Sequence, residues 1–178
     1  MQPVPLSQFE IDINKYEFVK YINHGTYGSV NLVTEKGTNK SFAAKIIFLN
    51  KYYKESKDVK ETVKKTIDNE IRIMMTSNHP TIIKFRGYSL KGFKNQDNPV
   101  ILMEYAPNGS LQELLDNAFK GSSPIDFSNT TKQILLIGIA RGMMYLHKHY
   151  ICHCDLKPGN ILKLKYLMFA NSRFYHIL

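Results

Sequence analysis

The feature that most restricts the fold of this chain is the octapeptide at residues 153–160, His-Cys-Asp-Leu-Lys-Pro-Gly-Asn. A phosphoryl-transfer site needs a carboxylate to accept a hydroxyl proton, a cation to hold the phosphate and an amide oxygen for magnesium. Asp155, Lys157 and Asn160 can supply these three groups. A turn rich in Asx residues that bends at Pro158 and Gly159 is the plainer interpretation, and many globular proteins contain one. The octapeptide by itself leaves both interpretations open.

A glycine-rich stretch comes much earlier, at residues 22–30, and reads Ile-Asn-His-Gly-Thr-Tyr-Gly-Ser-Val. Gly25 and Gly28 have no Cβ, so the backbone there can come within hydrogen-bonding distance of phosphate oxygens. Asn23 stands where a third glycine would complete the pattern, and Asn adopts left-handed backbone conformations more readily than most residues. A plain hairpin turn explains this stretch equally well when it is taken alone.

A lysine inside a buried strand is the third feature. Residues 42–47, Phe-Ala-Ala-Lys-Ile-Ile, predict a strand, and an ammonium in such a run needs a partner or a path to water. The alternative is a lysine whose stem lies along the strand while its head reaches solvent. A turn at residues 36–39 joins this strand to the glycine-rich stretch, which favours a functional role for Lys45.

The stretch 58–76 predicts an amphipathic helix, because Val63, Ile67, Ile71 and Met74 recur at helical spacing. Glu70 falls on the same face and needs a cation there, for which Lys45 is the candidate. Glu61 and Asp68 are the rival acids and point further from the apolar stripe. A solvated glutamate on a charged helix is the plain alternative.

Two apolar runs at residues 82–88 and 100–105 predict a pair of strands. Pro107 and Gly109 break the pattern before a helix that Ser110 would cap. A further helix, starting at Asn129 or Thr130, leads to the octapeptide. Its predicted apolar face consists of Ile134, Leu135, Ile137, Gly138, Ala140, Arg141, Met144, Tyr145 and Leu146.

These features occur in the order in which they occur in eukaryotic protein kinase domains, and the chain resembles that family over residues 16–162. The resemblance implies an α+β, two-lobed fold, with an antiparallel sheet and one main helix in the smaller lobe and an incomplete helical larger lobe. It divides the chain into a lead (1–15), the smaller lobe (16–105), part of the larger lobe with hinge and catalytic loop (106–162) and a divergent tail (163–178). A lysine two residues after Asp155 is similar to the serine/threonine enzymes, and residues 78–82 and 104–111 resemble their tyrosine-kinase-like branch.

The resemblance also implies the roles of individual residues. ATP and Mg²⁺ are the expected cofactors, and proteins with Ser or Thr are the expected substrates. Catalysis is assigned to Asp155, Lys157, Asn160, Lys45 and Glu70, with Asn160 as the magnesium ligand. Nucleotide binding is assigned to Ile22, Asn23, Gly25, Gly28, Val30, Ala43, Lys45, Met103, Glu104, Ala106 and Leu162.

The chain departs from the family after Leu162. The short hairpin, the Asp-Phe-Gly motif and the activation segment expected next are not recognisable, and residues 163–178 contain neither Asp nor Glu. We expect a domain cut short before Asp-Phe-Gly, through a shifted reading frame, an unspliced intron or a premature stop, with impaired or no activity. A shortened lobe should also leave the helix before the octapeptide partly exposed. Cys154 replaces the usual Arg, which suggests regulation without an activation-segment phosphate.

Composition and apolar patterning limit the expected partners and the expected location of the chain. The net charge of +9 is compatible with nucleic-acid binding, but the lysines carry no accompanying aromatic or arginine readout pattern, so no nucleic-acid partner is expected. No apolar run reaches the ~20 residues of a membrane span, and a cytoplasmic or nuclear location is the default expectation. A non-catalytic ATP-binding scaffold and a gene fragment that does not fold are the alternatives to a working kinase.

Overall fold

A computed structural model describes residues 5–25, 28–49, 57–122, 128–163, 167–169 and 175–176. The helices are α1 (Lys57–Thr76), α2 (Leu111–Phe119) and α3 (Asn129–Lys148). The strands are β1 (Tyr16–Gly25), β2 (Gly28–Glu35), β3 (Ser41–Ile47), β4 (Phe85–Ser89), β5 (Val100–Glu104), β6 (Ile151–Cys152), β7 (Ile161–Lys163), β8 (Leu167–Phe169) and β9 (Tyr175–His176). The predicted α+β class is confirmed.

The chain forms two compact units. The first comprises Met1–Met75 and Lys84–Tyr105, and the second comprises Thr76–Ile83 and Ala106–Leu178. The division at Tyr105 falls where the sequence breaks from an apolar run into Pro107 and Gly109. Residues 76–83, which lie before this break, group with the second unit.

The first unit is built on a five-stranded antiparallel sheet with the strand order β1-β2-β3-β5-β4. The predicted turn at residues 36–39 joins β2 to β3, and the Glu35 N–H donates to the Lys40 carbonyl at 2.9 Å across it. Gly37 and Asn39 have φ values of 81° and 55° there, which Gly and Asn tolerate best. The strand pair β4 and β5 forms as the apolar runs predict.

One face of this sheet carries a core cluster of Ile13, Val33, Ala44, Val100 and Leu102. Ile13 comes from the segment that the sequence analysis treats as a lead. The same segment runs beside β4, where the Ile11 N–H donates to the Tyr88 carbonyl at 2.8 Å. The residues before β1 therefore supply part of the core and cover one sheet edge, while β1 forms the other edge.

Helix α1 has the predicted apolar stripe. Ile67, Ile71 and Met74 are all buried, whereas the side chain of Val63 lies outside the described residues. Ile73 is buried as well. Glu70 is half-buried on the same side, so the stripe places a carboxylate where an unpaired charge would be costly.

Capping residues start the two helices of the second unit. The Ser110 side chain accepts a hydrogen bond from the Glu113 N–H, and the Glu113 carboxylate accepts one from the Ser110 N–H, which confirms the predicted cap of α2. Helix α3 begins at Asn129 after Ser128, whose hydroxyl accepts from the Thr131 N–H. No helix in the described ranges is long and apolar enough to cross a membrane.

The predicted apolar face of α3 is only partly packed. Leu146 and Gly142 are buried, but Ile134, Ile137 and Met144 are 63%, 52% and 70% exposed. The expectation that this helix would remain partly exposed is confirmed.

The structure corrects one expectation for the end of the chain. The short hairpin that the sequence does not reveal after Leu162 is present, because β7 and β8 pair antiparallel with Leu162 opposite Met168. Beyond it, β9 pairs with β6, with Tyr175 opposite Cys152. The sequence hides this hairpin because strands of two or three residues are too short for a periodic pattern.

Candidate active site

Four of the predicted nucleotide-binding residues share one face of the first unit's sheet. Val30 lies directly opposite Lys45, and Ala43 lies directly opposite Met103. Residues that face each other across antiparallel strands project on the same side, and those two apart along β3 do too. Val30, Ala43, Lys45 and Met103 therefore lie together, on the face opposite the one that carries Ala44 in the core cluster.

Lys45 of β3 forms an ion pair with Glu70 of α1 through Nζ and Oε1. The two side chains are only 15% and 13% exposed, so each charge is largely removed from water and depends on its partner. The rival acid Glu61 pairs with Lys65 at 3.2 Å on the exposed side of the same helix. The contact predicted from the spacing is thus formed, and it fixes an ammonium on the sheet face that Val30 and Ala43 share.

The glycine-rich stretch lies at the adjoining ends of β1 and β2. A Cβ on Gly28 would lie 2.0 Å from the carbonyl oxygen of Ile46, so β3 alone requires glycine there. Apart from its chain neighbours, no described residue places an atom within 4 Å of a Cβ added at Gly25. The Asn23 side chain accepts a hydrogen bond from the His24 N–H at 2.8 Å, and Ile22 lies at a register shift in β1.

The hinge residues are divided between the two units. Met103 is buried, and Glu104 is held twice by Lys84, whose N–H donates to Oε1 at 2.8 Å and whose carbonyl accepts from the Glu104 N–H at 3.0 Å. Ala106 and Leu162 belong to the second unit. There the Ala106 carbonyl accepts from the Gly109 N–H, and Leu162 forms a β-bridge with Ser110.

The three residues singled out in the octapeptide contact one another in the second unit. Lys157 Nζ lies 3.0 Å from Asp155 Oδ2. The Asn160 amide nitrogen donates to the Asp155 carbonyl at 2.7 Å and to Asp155 Oδ2 at 3.0 Å. The Asn160 N–H donates to the Lys157 carbonyl at 2.9 Å, which closes the loop. The plain turn interpretation explains the closure but not the convergence of a cation and an amide on one carboxylate.

Buried neighbours hold this loop in place. Ile151 and His153 are 3% and 0% exposed, and the Asp155 N–H donates to the His153 carbonyl at 2.8 Å. Cys154, which lies between His153 and Asp155, adopts a left-handed conformation with φ of 55°. A non-glycine residue in that region stores backbone strain, and such strain is concentrated at functional sites. The anchoring role of His153 was not predicted from the sequence, and the alternation of Ile151 and His153 is the signal available for it.

The donor groups of the loop suit a small divalent cation. Magnesium prefers oxygen ligands, and its usual protein ligands are one or two groups alongside nucleotide phosphates. The two bonds from the Asn160 nitrogen orient the amide group, so its oxygen would be the ligand in the predicted role. Within the described residues, no three His, Cys, Asp or Glu side chains form a metal cage.

Two features define the protein kinase class. Lys45 of the sheet pairs with Glu70 of α1, and a loop carries Asp155 with its lysine and asparagine partners. Comparison with known families agrees. Residues 16–167 match the family model described as "Protein kinase domain". The chain belongs to the protein kinase family.

Individual protein kinases share about a third of their aligned residues with this chain. The chain is 33% identical over 158 residues to myosin light chain kinase 3 of Rattus norvegicus, a match that covers 85% of this chain and 18% of that protein. It is 36% identical over 147 residues to 3-phosphoinositide-dependent protein kinase B of Dictyostelium discoideum, covering 83% and 14%. It is 29% identical over 148 residues to serine/threonine-protein kinase 1 of Arabidopsis thaliana, covering 83% and 16%. The chain spans less than a fifth of the length of these relatives.

Proposed function

We propose that this chain binds ATP with Mg²⁺ and is built to transfer the γ-phosphoryl group to Ser or Thr hydroxyls of proteins, with impaired activity because residues 163–178 hold no Asp or Glu to serve as a second magnesium ligand. The observation that carries the proposal is the convergence of Lys157 and Asn160 on Asp155 in the loop of the second unit. A carboxylate beside a cation and an amide supplies the positioning and the electrostatic stabilisation on which phosphoryl transfer depends.

In this proposal Asp155 orients the substrate hydroxyl and accepts its proton through a carboxylate oxygen. Lys157, 3.0 Å from that carboxylate, places a positive charge beside the oxygen that attacks and steadies the transferred group. Asn160 positions the Asp155 backbone and carboxylate through its two hydrogen bonds. Magnesium, when bound, neutralises charge on the phosphates.

The first unit supplies the nucleotide half of the proposed chemistry. Lys45 would hold the α- and β-phosphates, and Glu70 keeps its ammonium oriented through their ion pair. Val30, Ala43 and Met103 provide an apolar surface for the adenine beside that ammonium.

The preference for Ser and Thr rests on the position of Lys157 two residues after Asp155. The name of the Arabidopsis relative, serine/threonine-protein kinase 1, supports the same acceptor. The assignment to the tyrosine-kinase-like branch and the cytoplasmic or nuclear location stay predictions.

The nucleotide half is tested by the melting temperature of the purified chain with and without ATP and Mg²⁺. Binding to the folded state must raise that temperature. We expect a shift in the wild type and none in Lys45→Met, with Lys40→Met, an exposed lysine beyond the β2–β3 turn, as the matched control. A shift that survives in Lys45→Met would contradict the assigned site.

Phosphoryl transfer is tested by ATP-dependent labelling of peptides that differ only in carrying Ser, Thr or Tyr. We expect labelling of the Ser and Thr peptides, reduced in Asp155→Asn by at least about 100-fold, the lower range for a positioned acid–base group. Equal labelling by the wild type and Asp155→Asn would refute the role of the loop.

A second candidate is an ATP-binding scaffold without phosphoryl transfer. It is favoured by the lack of any Asp or Glu in residues 163–178, where the resemblance places a second magnesium ligand. A melting shift that depends on Lys45, combined with no labelling of any peptide, would support the scaffold and reject the transferase.

A further inference from the structure

Lys84 and Glu104 face each other at the end of the β4–β5 pair. Phe85 lies opposite Met103, so the residues one step further along the two antiparallel chains, Lys84 and Glu104, are opposite each other too. Two residues in a hydrogen-bonded antiparallel pair normally exchange both of their main-chain N–H···O bonds. Here the Glu104 N–H donates to the Lys84 carbonyl at 3.0 Å, which is one of the two bonds.

A side chain takes the place of the second bond. The Lys84 N–H donates at 2.8 Å to Oε1 of the Glu104 carboxylate instead of to the Glu104 carbonyl. A charged carboxylate is a stronger hydrogen-bond acceptor than a neutral carbonyl. In a strand the N–H and the carbonyl of one residue point to the same neighbour, so the Glu104 carbonyl points away from β3. The carboxylate therefore leaves this carbonyl without the Lys84 donor that regular pairing would supply.

The carboxylate itself projects from the face of the sheet opposite the proposed nucleotide surface. Glu104 lies directly opposite Phe42, which is two residues before Ala44 on β3. Ala44 belongs to the core cluster and Phe42 packs against it, whereas Ala43 and Met103 lie on the other face. The Glu104 side chain can thus influence a nucleotide only through its own main chain, which makes Glu104 a positioning residue.

We propose that the Glu104 carboxylate, by holding the Lys84 N–H, frees the Glu104 carbonyl to accept a hydrogen bond from the 6-amino group of adenine. The side chain of Glu104 then sets a preference for nucleotides whose purine carries an amino group at position 6. This inference rests on the proposed function, which places the base beside Met103, the residue that precedes Glu104. It goes further in assigning base selectivity to a side chain that does not touch the base.

The test compares the Kd of ATP with the Kd of purine riboside triphosphate, which lacks only the 6-amino group. Both are measured with Mg²⁺ by titration calorimetry. We expect the wild type to prefer ATP by about 2- to 10-fold, the net worth of one hydrogen bond. Glu104→Met keeps a side chain of similar length without an acceptor oxygen, so the Lys84 N–H should turn to the main-chain carbonyl and the preference should disappear. Glu104→Gln retains an acceptor oxygen and should retain the preference.

The ratio of the two Kd values separates selectivity from stability, because a loss of folded protein affects both nucleotides alike. Glu17→Ala, which removes an exposed glutamate of β1, is the matched control and should keep the wild-type ratio. An unchanged ratio in Glu104→Met overturns the inference, and so does a lost preference in Glu104→Gln. A wild type that binds both nucleotides equally overturns it even where Glu104→Met fails to fold, and leaves the proposed nucleotide site standing. A wild type that binds neither nucleotide rejects the proposed function as well.

Discussion

At the scale of single residues, the same residue type serves different purposes at neighbouring positions. Gly28 is required by the close approach of the Ile46 carbonyl, which is a demand of the sheet itself. At Gly25, three residues earlier, no described residue beyond its chain neighbours comes within 4 Å of an added Cβ, so no described contact requires glycine there. The glycine-rich stretch therefore contains one glycine, Gly28, that the packing of the sheet requires whether or not the stretch binds phosphate.

This difference predicts opposite outcomes for two alanine substitutions. Gly28→Ala should destabilise the first unit by about 1–3 kcal/mol, the usual cost of forcing an extra carbon into a packed site. Gly25→Ala should leave the free energy of unfolding nearly unchanged. Urea unfolding of both variants checks this, and equal stability of the two would show that β3 does not approach Gly28 as described.

At the scale of elements, the helices depend on local caps that the sequence reveals well. Ser110 and Glu113 exchange two hydrogen bonds at the start of α2 and satisfy N–H groups that the first turn leaves unpaired. We expect Ser110→Ala to lower the free energy of unfolding by about 1 kcal/mol and Ser110→Asp to retain most of it. Thermal melting compares them, and a loss as large in Ser110→Asp as in Ser110→Ala would argue against a capping role.

The end of α3 is held by contacts that are not local. The Tyr145 ring stacks on His79, with centroids 4.8 Å apart, and lies 4.3 Å from the ring of His149. The Tyr145 hydroxyl accepts a hydrogen bond from the Asn78 N–H at 2.8 Å. These contacts tie α3 to residues 76–83 and explain why that segment groups with the second unit.

This stack makes the second unit sensitive to acid. Burial lowers the pKa of His79, and the positive charge of Arg141 lowers it further, so the folded state favours neutral His79. Its contribution to stability is complete above the ordinary histidine pKa of 6.5 and is lost as the pH falls through the lower, folded value.

The acid sensitivity is measured as the free energy of unfolding against pH for the wild type and His79→Gln. The remaining histidines are common to both proteins, so the difference between the two curves reports His79. We expect the wild type to lose more stability than the variant below pH 6.5, and parallel curves would contradict this assignment.

At the scale of the whole molecule, helix α3 presents several exposed apolar side chains. Ile134, Ile137 and Met144 recur at helical spacing and are more than half exposed, as is Leu136 nearby. Exposed apolar side chains grouped on one helix promote association between molecules.

We therefore expect the wild-type chain to self-associate as its concentration rises. The double substitution Ile134→Gln with Met144→Gln should reduce light scattering without lowering the melting temperature, because neither side chain is buried. Leu146→Gln is the control: it introduces a polar group at a fully buried position and should lower the melting temperature. Scattering unchanged by the double substitution would exclude this surface as the cause.

The sequence by itself determined the features that depend on the spacing of residues close together in the chain. The stripe of α1, the Ser110 cap of α2, the start of α3 and the turn between β2 and β3 follow from periodicity and from residues with special backbone or side-chain chemistry. The pairing of Lys45 with Glu70 was predictable too, because a charge in each of two buried stripes requires a partner. The family followed from the order of the motifs.

Only the tertiary structure decided what depends on residues far apart in the chain or on the exact path of the backbone. Packing of Ile13 into the core, the hairpin of β7 and β8 and the stacking of Tyr145 on His79 leave no periodic signal. The clash that reserves position 28 for glycine arises from a neighbouring strand. In each case the physical reason is excluded volume or burial in three dimensions, which the order of residues along the chain does not encode locally.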